Sequence, residues 1–348
     1  MKFISAICAT VLALGTCTLV ACSKNKDFDK SLPSLNKEDG WEQTLNTDFS
    51  KYSSIDEVYK NSPWGTEGSH GKRKTEYWCD QALQIDKNKG ALVVKSTEED
   101  NHNCPVCNQN KGIFTGCLET RETENNKGFK QAFGYYEVVC KVPDAPGMWS
   151  AFWLQSDGVS KVGNKGKDGT EIDVFESSFH QKNRTKTGNA LHYDAYSHPW
   201  YKCVDNVTDV GYDLYDGQFH KYALHWTPKY YVFYVDDKPV WATDAGDVSR
   251  VPSFLRLTVE IRGDVLGPYG QKLGAFENRT DGSTDFEVKS VKVWQKGSYK
   301  EHIKQDSDFK DKRKIYDKIL HTSLVVGGTF LVASSVCASV AIKRKIRK

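Results

Sequence analysis

The chain has 348 residues, with 17 Tyr, 16 Phe and 9 Trp but only 10 Pro. That length admits one large domain plus targeting segments, and the aromatic content suits a strand-rich fold with a broad aromatic surface. The formal net charge of +3 comes from the ends, because five of the last six residues are Lys or Arg; the body is mildly acidic and offers no basis for a nucleic-acid partner.

In chain order, residues 1–22 read as a signal segment. Lys2 precedes an uncharged run from Phe3 to Ala21, the layout of a secretory signal. Leu19-Val20-Ala21-Cys22 is similar to a bacterial lipobox, which would place a lipid on Cys22; simple cleavage near Ala21 is the alternative. Residues 23–40 are polar and read as a tether. The main domain is expected over 41–296, starting at Trp41. Residues 41–90 hold many Gly, Asn, Ser and Lys, which predicts loops and short strands. A strand is predicted at 91–96 and a loop over 101–116.

Six cysteines lie outside the terminal segments: Cys79, Cys104, Cys107, Cys117, Cys140 and Cys203. Outside a cell an even number suggests disulfides, although spacing alone does not give the pairing. Free thiols are one alternative. A zinc site built from Cys104-Pro105-Val106-Cys107 with Cys79 and Cys117 is the other.

Residues 133–142 predict a strand, followed by a turn over 143–147 rich in Pro and Gly. Residues 148–154 predict a second strand with Trp149, Ala151 and Trp153 on one face. Tryptophan offers a sugar ring a flat apolar face and an N–H donor. The Gly- and Lys-rich stretch 158–169 reads as a mobile loop. It leads to Glu171-Ile172-Asp173-Val174-Phe175-Glu176. In a strand, Glu171 and Asp173 share one face while Ile172 and Val174 point into the core. Strict alternation would send Glu176 inward, where an unpaired carboxylate is costly. A one-residue bulge at Val174-Phe175 returns Glu176 to the acidic face. Two carboxylates on one surface, with a third between them, suit glycoside hydrolysis.

Beyond that strand, Leu191-His192-Tyr193 reads as the start of a short strand. Strands are also predicted at 217–226, 230–235, 239–241, 255–261 and 286–294. Residues 297–322 are mostly charged and read as a stalk. Residues 323–342 carry no charge and are long enough to cross a bilayer of roughly 30 Å. The basic tail 343–348 would then be cytoplasmic; a sorting tail that is later trimmed is the rival reading.

Several of these motifs together resemble glycoside hydrolase family 16. Glu171 to Glu176 is similar to the bulged E-x-D-x-x-E signature of its laminarinase-like members. Residues 133–137 resemble a "YGYYE" strand, Gly147 to Trp153 a "G-x-W-P-A-x-W" element with Ser150 in place of Pro, and Phe219 to Trp226 an "F-H-x-Y-x-x-x-W" strand. The likeness runs from about Trp41 to Trp294. It implies an all-β, concanavalin A-like jelly-roll sandwich with a concave sugar-binding cleft. It implies a retaining endo-hydrolase of a β-linked polysaccharide, β-1,3-glucan first among the candidates. Glu171 would be the nucleophile and Glu176 the acid/base, with Asp173 orienting the nucleophile. Trp149, Trp153 and His192 would line the cleft. No cofactor is required and no metal ligand is assigned, although a structural calcium ion is compatible with the family. Glu260-Ile261-Arg262-Gly263 stands where laminarinases carry a Gly-Gly pair. A galactan hydrolase, a transglycosylase and a surface glucan-binding protein without turnover are therefore the alternatives. The protein is expected to be a monomer, membrane-anchored, with its catalytic domain outside the cell.

Overall fold

A computed structural model describes residues 27–318, apart from 67–69, 105–106, 125, 180–182, 262–268 and 270–272. The signal segment, the apolar run 323–342 and the basic tail lie outside the described residues. Among the described residues, no helix is long and apolar enough to cross a membrane.

Two antiparallel sheets face each other across the core. One runs, in spatial order, Lys238–Thr243, Tyr231–Val235, His220–Trp226, Gly134–Lys141, Phe286–Lys296, Ala91–Val94 and Leu83–Asp86, with Trp41–Asp48 also paired to Phe286–Lys296. The other runs Lys202–Asp209, Lys186–Tyr193, Glu171–Ser177, Met148–Gln155, Ser253–Ile261 and Cys117–Glu119, with Lys130–Gln131 also paired to Ser253–Ile261. This is the expected jelly-roll sandwich. Alternation along the strands builds the core. Phe152, Leu154, Ile172, Val174, Phe175, Leu255 and Leu257 meet Tyr136, Val138, Tyr222 and Leu224 of the facing sheet in one buried cluster. The Phe175 ring stacks on Tyr222 with centroids 4.1 Å apart.

The predicted strands are present, with differences that have physical causes. Residues 41–48 form a long strand rather than loop, because tertiary pairing with Phe286–Lys296 overrides a polar sequence. A short helix, Ile55–Asn61, follows, capped by the Ser54 side chain accepting from the Glu57 N–H. Leu191 to Tyr193 is the end of an eight-residue strand, Lys186–Tyr193, not its start. A four-stranded sheet of Gly71–Lys72, Glu76–Trp78, Gly112–Thr115 and Thr97–Glu99 occupies part of the stretches read as loop.

The flanking segments are not free. The Tyr234 hydroxyl donates to the Ser31 carbonyl at 2.9 Å, so the predicted tether lies against the body. The predicted stalk docks as well, and it holds down the loop read as mobile. Lys161 pairs with Asp306 at 2.8 Å, the Lys312 ammonium donates to the Gly163 carbonyl at 2.9 Å, and Tyr316 packs edge-on against Trp200. The first two contacts reach the segment leading into the acidic strand, and the third the turn after Lys186–Tyr193. A chain ended at Lys296 should therefore melt several degrees below one ended at Lys318; equal melting temperatures by calorimetry would contradict the docking.

Candidate active site

The bulge lies where the sequence needs it. Against Met148–Gln155, Ala151 pairs with Glu176 and Phe152 with Phe175, but Trp153 pairs with Asp173, leaving Val174 as the extra residue. The partner strand on the other side shows the same break between Asp173 and Glu176. Ile172, Val174 and Phe175 enter the core, while Glu171, Asp173 and Glu176 face away from it. The extra residue leaves a backbone carbonyl without its ladder partner. The buried Asn189 side chain fills that role, donating to the Val174 carbonyl at 2.6 Å. Gly169, at φ +148, ends the loop before the acidic strand, and a Cβ there would meet Ser156 Oγ at 2.2 Å.

Each acid has its own surroundings. The Glu171 carboxylate accepts from the Tyr196 hydroxyl and, at 3.3 Å, from the Gln155 amide. His192 Nε2 lies 3.8 Å from Glu171 and 3.1 Å from Asp173. Glu176 accepts a hydrogen bond from the Tyr269 hydroxyl. Tyr269 can approach because position 188, opposite Glu176, is glycine: a Cβ there would meet the ring at 2.1 Å. His192 is tied from behind by the Tyr201 hydroxyl at Nδ1 and stacks on the Tyr201 ring.

The electrostatics follow from burial. Burial first, then the Asp173 charge, raise Glu176 from 4.5 to about 8, opposed by the Tyr269 hydrogen bond and by His192. Burial and Asp173 also raise Glu171, to about 7, but His192, Tyr196 and Arg256 all favour its charged form. The main causes for Glu176 are thus burial and Asp173, with Glu171 a smaller contributor. Burial works against a charged His192, yet Asp173, Cys203 and Glu171 outweigh it and hold the imidazole well above its ordinary range.

The expected site residues fare differently. Glu171, Asp173, Glu176 and His192 come together. Asp173 pairs with His192 rather than bonding directly to Glu171 in the role expected for it. Trp149 is partly exposed on the same face. Trp153 is 6 % exposed, its N–H is given to Thr258 at 2.9 Å, and the Arg256 guanidinium covers its ring at 4.4 Å. Its indole is therefore less available to a sugar than the sequence implied. Sequence reasoning missed Tyr196, Gln155, Arg256, Tyr269 and Asn189. The one signal was the aromatic density of the 196–201 stretch, from which a turn through Asp194 and Ala195, at φ 61 and 60, brings Tyr196 and Tyr201 to Glu171 and His192.

A cleft of about 310 Å³ adjoins Glu171 through Gln155, lined by His70, Lys72, Arg73, Trp78, Arg121 and Arg256 among others. Two clusters among the described residues have the spacing to hold a metal. One is Glu171, Asp173 and His192; the other is Cys79, His102 and Cys104. Calcium takes six to eight oxygen ligands, and two carboxylates with an imidazole do not fit it.

A jelly-roll sandwich with paired glutamates on a bulged strand of its cleft face is the architecture of a glycan-processing domain. A sequence model described as Glycosyl hydrolases family 16 matches residues 73–261, and the chain belongs to that family. It is 28 % identical over 156 residues to the endo-1,3-1,4-beta-glycanase EglC of Rhizobium meliloti (strain 1021), covering 44 % of this chain and 30 % of that protein. The match therefore spans under a third of that relative's length. Among solved structures, porphyranase B from Zobellia galactanivorans aligns with a TM-score of 0.55 and 18 % identity, covering 77 % of this chain and 99 % of that one. The laminarinase catalytic domain from Thermotoga petrophila RKU-1 aligns with a TM-score of 0.53 and 18 % identity, covering 74 % and 98 %. These structural likenesses establish the shared fold.

The raised Glu176 carries a stability signature. A carboxyl held protonated by the fold contributes stability that is present below its ordinary 4.5 and lost as pH rises through about 8. Glu176→Gln is always neutral and escapes that loss. Chemical denaturation should show the variant gaining on the wild type between about pH 5 and about pH 9. A constant difference across that range would mean Glu176 ionises as it does in the unfolded chain.

Proposed function

We propose that this protein is a retaining endo-hydrolase of a β-linked polysaccharide. The observation that carries the reading is the unequal setting of two glutamates on one face. Glu171 accepts from Tyr196 and Gln155 and lies 3.8 Å from His192, contacts that offset part of the burial that raises it to about 7. Glu176, raised to about 8, is suited to holding a proton. In the first step a Glu171 oxygen bonds to the anomeric carbon as the glycosidic C–O bond breaks, and Glu176 gives its proton to the leaving oxygen. In the second step Glu176 takes a proton from water, and that water displaces Glu171 from the sugar. Asp173 supports this by its charge, which disfavours ionisation of Glu176. His192 bridges Asp173 and Glu171 and would rein in the negative charge between steps. No cofactor enters either step.

For substrate, β-1,3-glucan or mixed-linkage glucan is the first reading, in keeping with the endo-1,3-1,4-beta-glycanase of Rhizobium meliloti to which the chain is similar. A galactan is a second; of the cationic side chains along the cleft, Arg73, Arg121 and Arg256 are paired with Glu260, Asp157 and Glu119, and Lys72 stands beside them. Glu260, which stands in place of the Gly-Gly pair, is held by Arg73 at 2.6 Å and narrows that end. The reading also places the domain outside the cell, anchored to its surface. The uncharged runs 3–21 and 323–342 support that placement.

Glu171→Gln and Glu176→Gln should each lower turnover by at least about a hundredfold while leaving the fold intact. Reducing-sugar assays on laminarin, mixed-linkage glucan and a sulfated galactan, with product sizing, check both activity and substrate. Near-normal rates in either variant would overturn the roles. A wild type that binds glucan without releasing new chain ends would favour a surface-binding protein.

A further inference from the structure

All six cysteines of the body are free thiols, so the expected disulfides are not formed. Three of them gather in one place. Cys79, Cys104 and Cys107 share a small buried cluster with Phe114, separate from the main core. Cys117, which the spacing had grouped with them, instead lies 3.5 Å from the Arg256 guanidinium. Its place beside the thiols is taken by His102. One ligand atom each from Cys79, His102 and Cys104 lies within 4.8 Å of the others.

His102 is the second, independent observation. It is 8 % exposed, and its Nε2 is buried with no hydrogen-bond partner. Such an orphan is costly unless something occupies it. The rest of the ring is held in place. Nδ1 lies 2.8 Å from a Glu99 carboxylate oxygen, and the face stacks on Phe114 with centroids 3.5 Å apart. A carboxylate at Nδ1 fixes the tautomer that leaves Nε2 as a bare lone pair, the usual arrangement behind a metal-bound imidazole. Cys107, three residues after Cys104, donates its backbone N–H to Cys104 Sγ at 3.3 Å. The Asn108 N–H also donates, to the Cys104 carbonyl at 3.1 Å.

We propose that Cys79, His102, Cys104 and Cys107 form a structural zinc site. Three sulfurs and one imidazole are a common closed set for tetrahedral zinc, whose ligand atoms stand roughly 3.3–3.8 Å apart. A contraction of about one ångström brings the ligand atoms of Cys79, His102 and Cys104 to that spacing, and Cys107, in the same buried cluster, completes the set. The ion has a mechanical task. The four-stranded sheet beside the cleft is built from strands of two to four residues, too short to hold together unaided. Zinc would tie Cys79, at the end of Glu76–Trp78, to the loop that joins Thr97–Glu99 to Gly112–Thr115. Trp78, next to Cys79, lines the cleft, so the ion would brace one wall of the substrate channel without touching the reacting sugar.

The test is metal analysis of the full chain, expressed with zinc and purified without chelator. Mass spectrometry of the metals should give about one zinc per chain for the wild type and for Cys117→Ala. His102→Ala and Cys104→Ser should each fall below about half of that, while His102→Cys restores it. Cobalt added to apoprotein should show thiolate-to-cobalt absorption, lost in Cys104→Ser. Wild type that comes without metal and with Cys79, Cys104 and Cys107 all alkylated as free thiols, a disulfide among those three in non-reducing peptide maps, or zinc loss in Cys117→Ala equal to that in His102→Ala would each overturn the proposal. None of these readouts depends on turnover, so the zinc site and the hydrolase reading fail separately.

Discussion

The structure turns on a conflict between two periodicities inside one strand. Pleating places every second side chain in the core, yet three acids separated by one and then two residues all need the same open face. The bulge at Val174 resolves the conflict, and it has two costs. It leaves a carbonyl off the ladder, which Asn189 satisfies. It also sends two consecutive residues, Val174 and Phe175, toward the core, which the Tyr222 ring accommodates by stacking. The neighbouring strand is shaped around the same event: Asn189 reaches the bulge and Gly188 makes room for Tyr269.

Concentrating three carboxylates in a buried face has electrostatic consequences that cannot all be neutralised. Desolvation raises both glutamates, and Asp173 between them raises them further. His192 answers part of that charge, but it sits nearer Asp173 and Glu171 than Glu176. The result is a gradient along one strand, with donors gathered at Glu171 and a retained proton at Glu176. Two like residues acquire different chemistry from what surrounds them.

Much of this was legible in the sequence, because it depends on local pattern. The acid spacing forces a bulge whatever the rest of the chain does, and the alternation in 148–154 and 286–294 marks sheet strands directly. What was not legible depends on contacts between distant segments. Tyr269 and Arg256 carry no local mark of their function, and Tyr196 only the aromatic density around it; they matter because the fold brings them to the acids. The cover over Trp153 was hidden for the same reason, since the arginine above its ring comes from another strand. The polar stretch 41–48 gave no strand signal, and the charged stretch after 297 gave no sign that it docks. Counting cysteines suggested disulfides; only the fold shows that a histidine, not Cys117, stands among the three thiols.

The most direct test of the central claim is covalent labelling. A slow substrate of the 2-deoxy-2-fluoro oligosaccharide type traps the glycosyl-enzyme of a retaining hydrolase, and peptide mapping identifies the residue that carries the sugar. A label on Glu171 alone is the predicted result. A label on Glu176, or hydrolysis with inversion and no label, would show that the bulged strand does not divide the labour between its two glutamates as described.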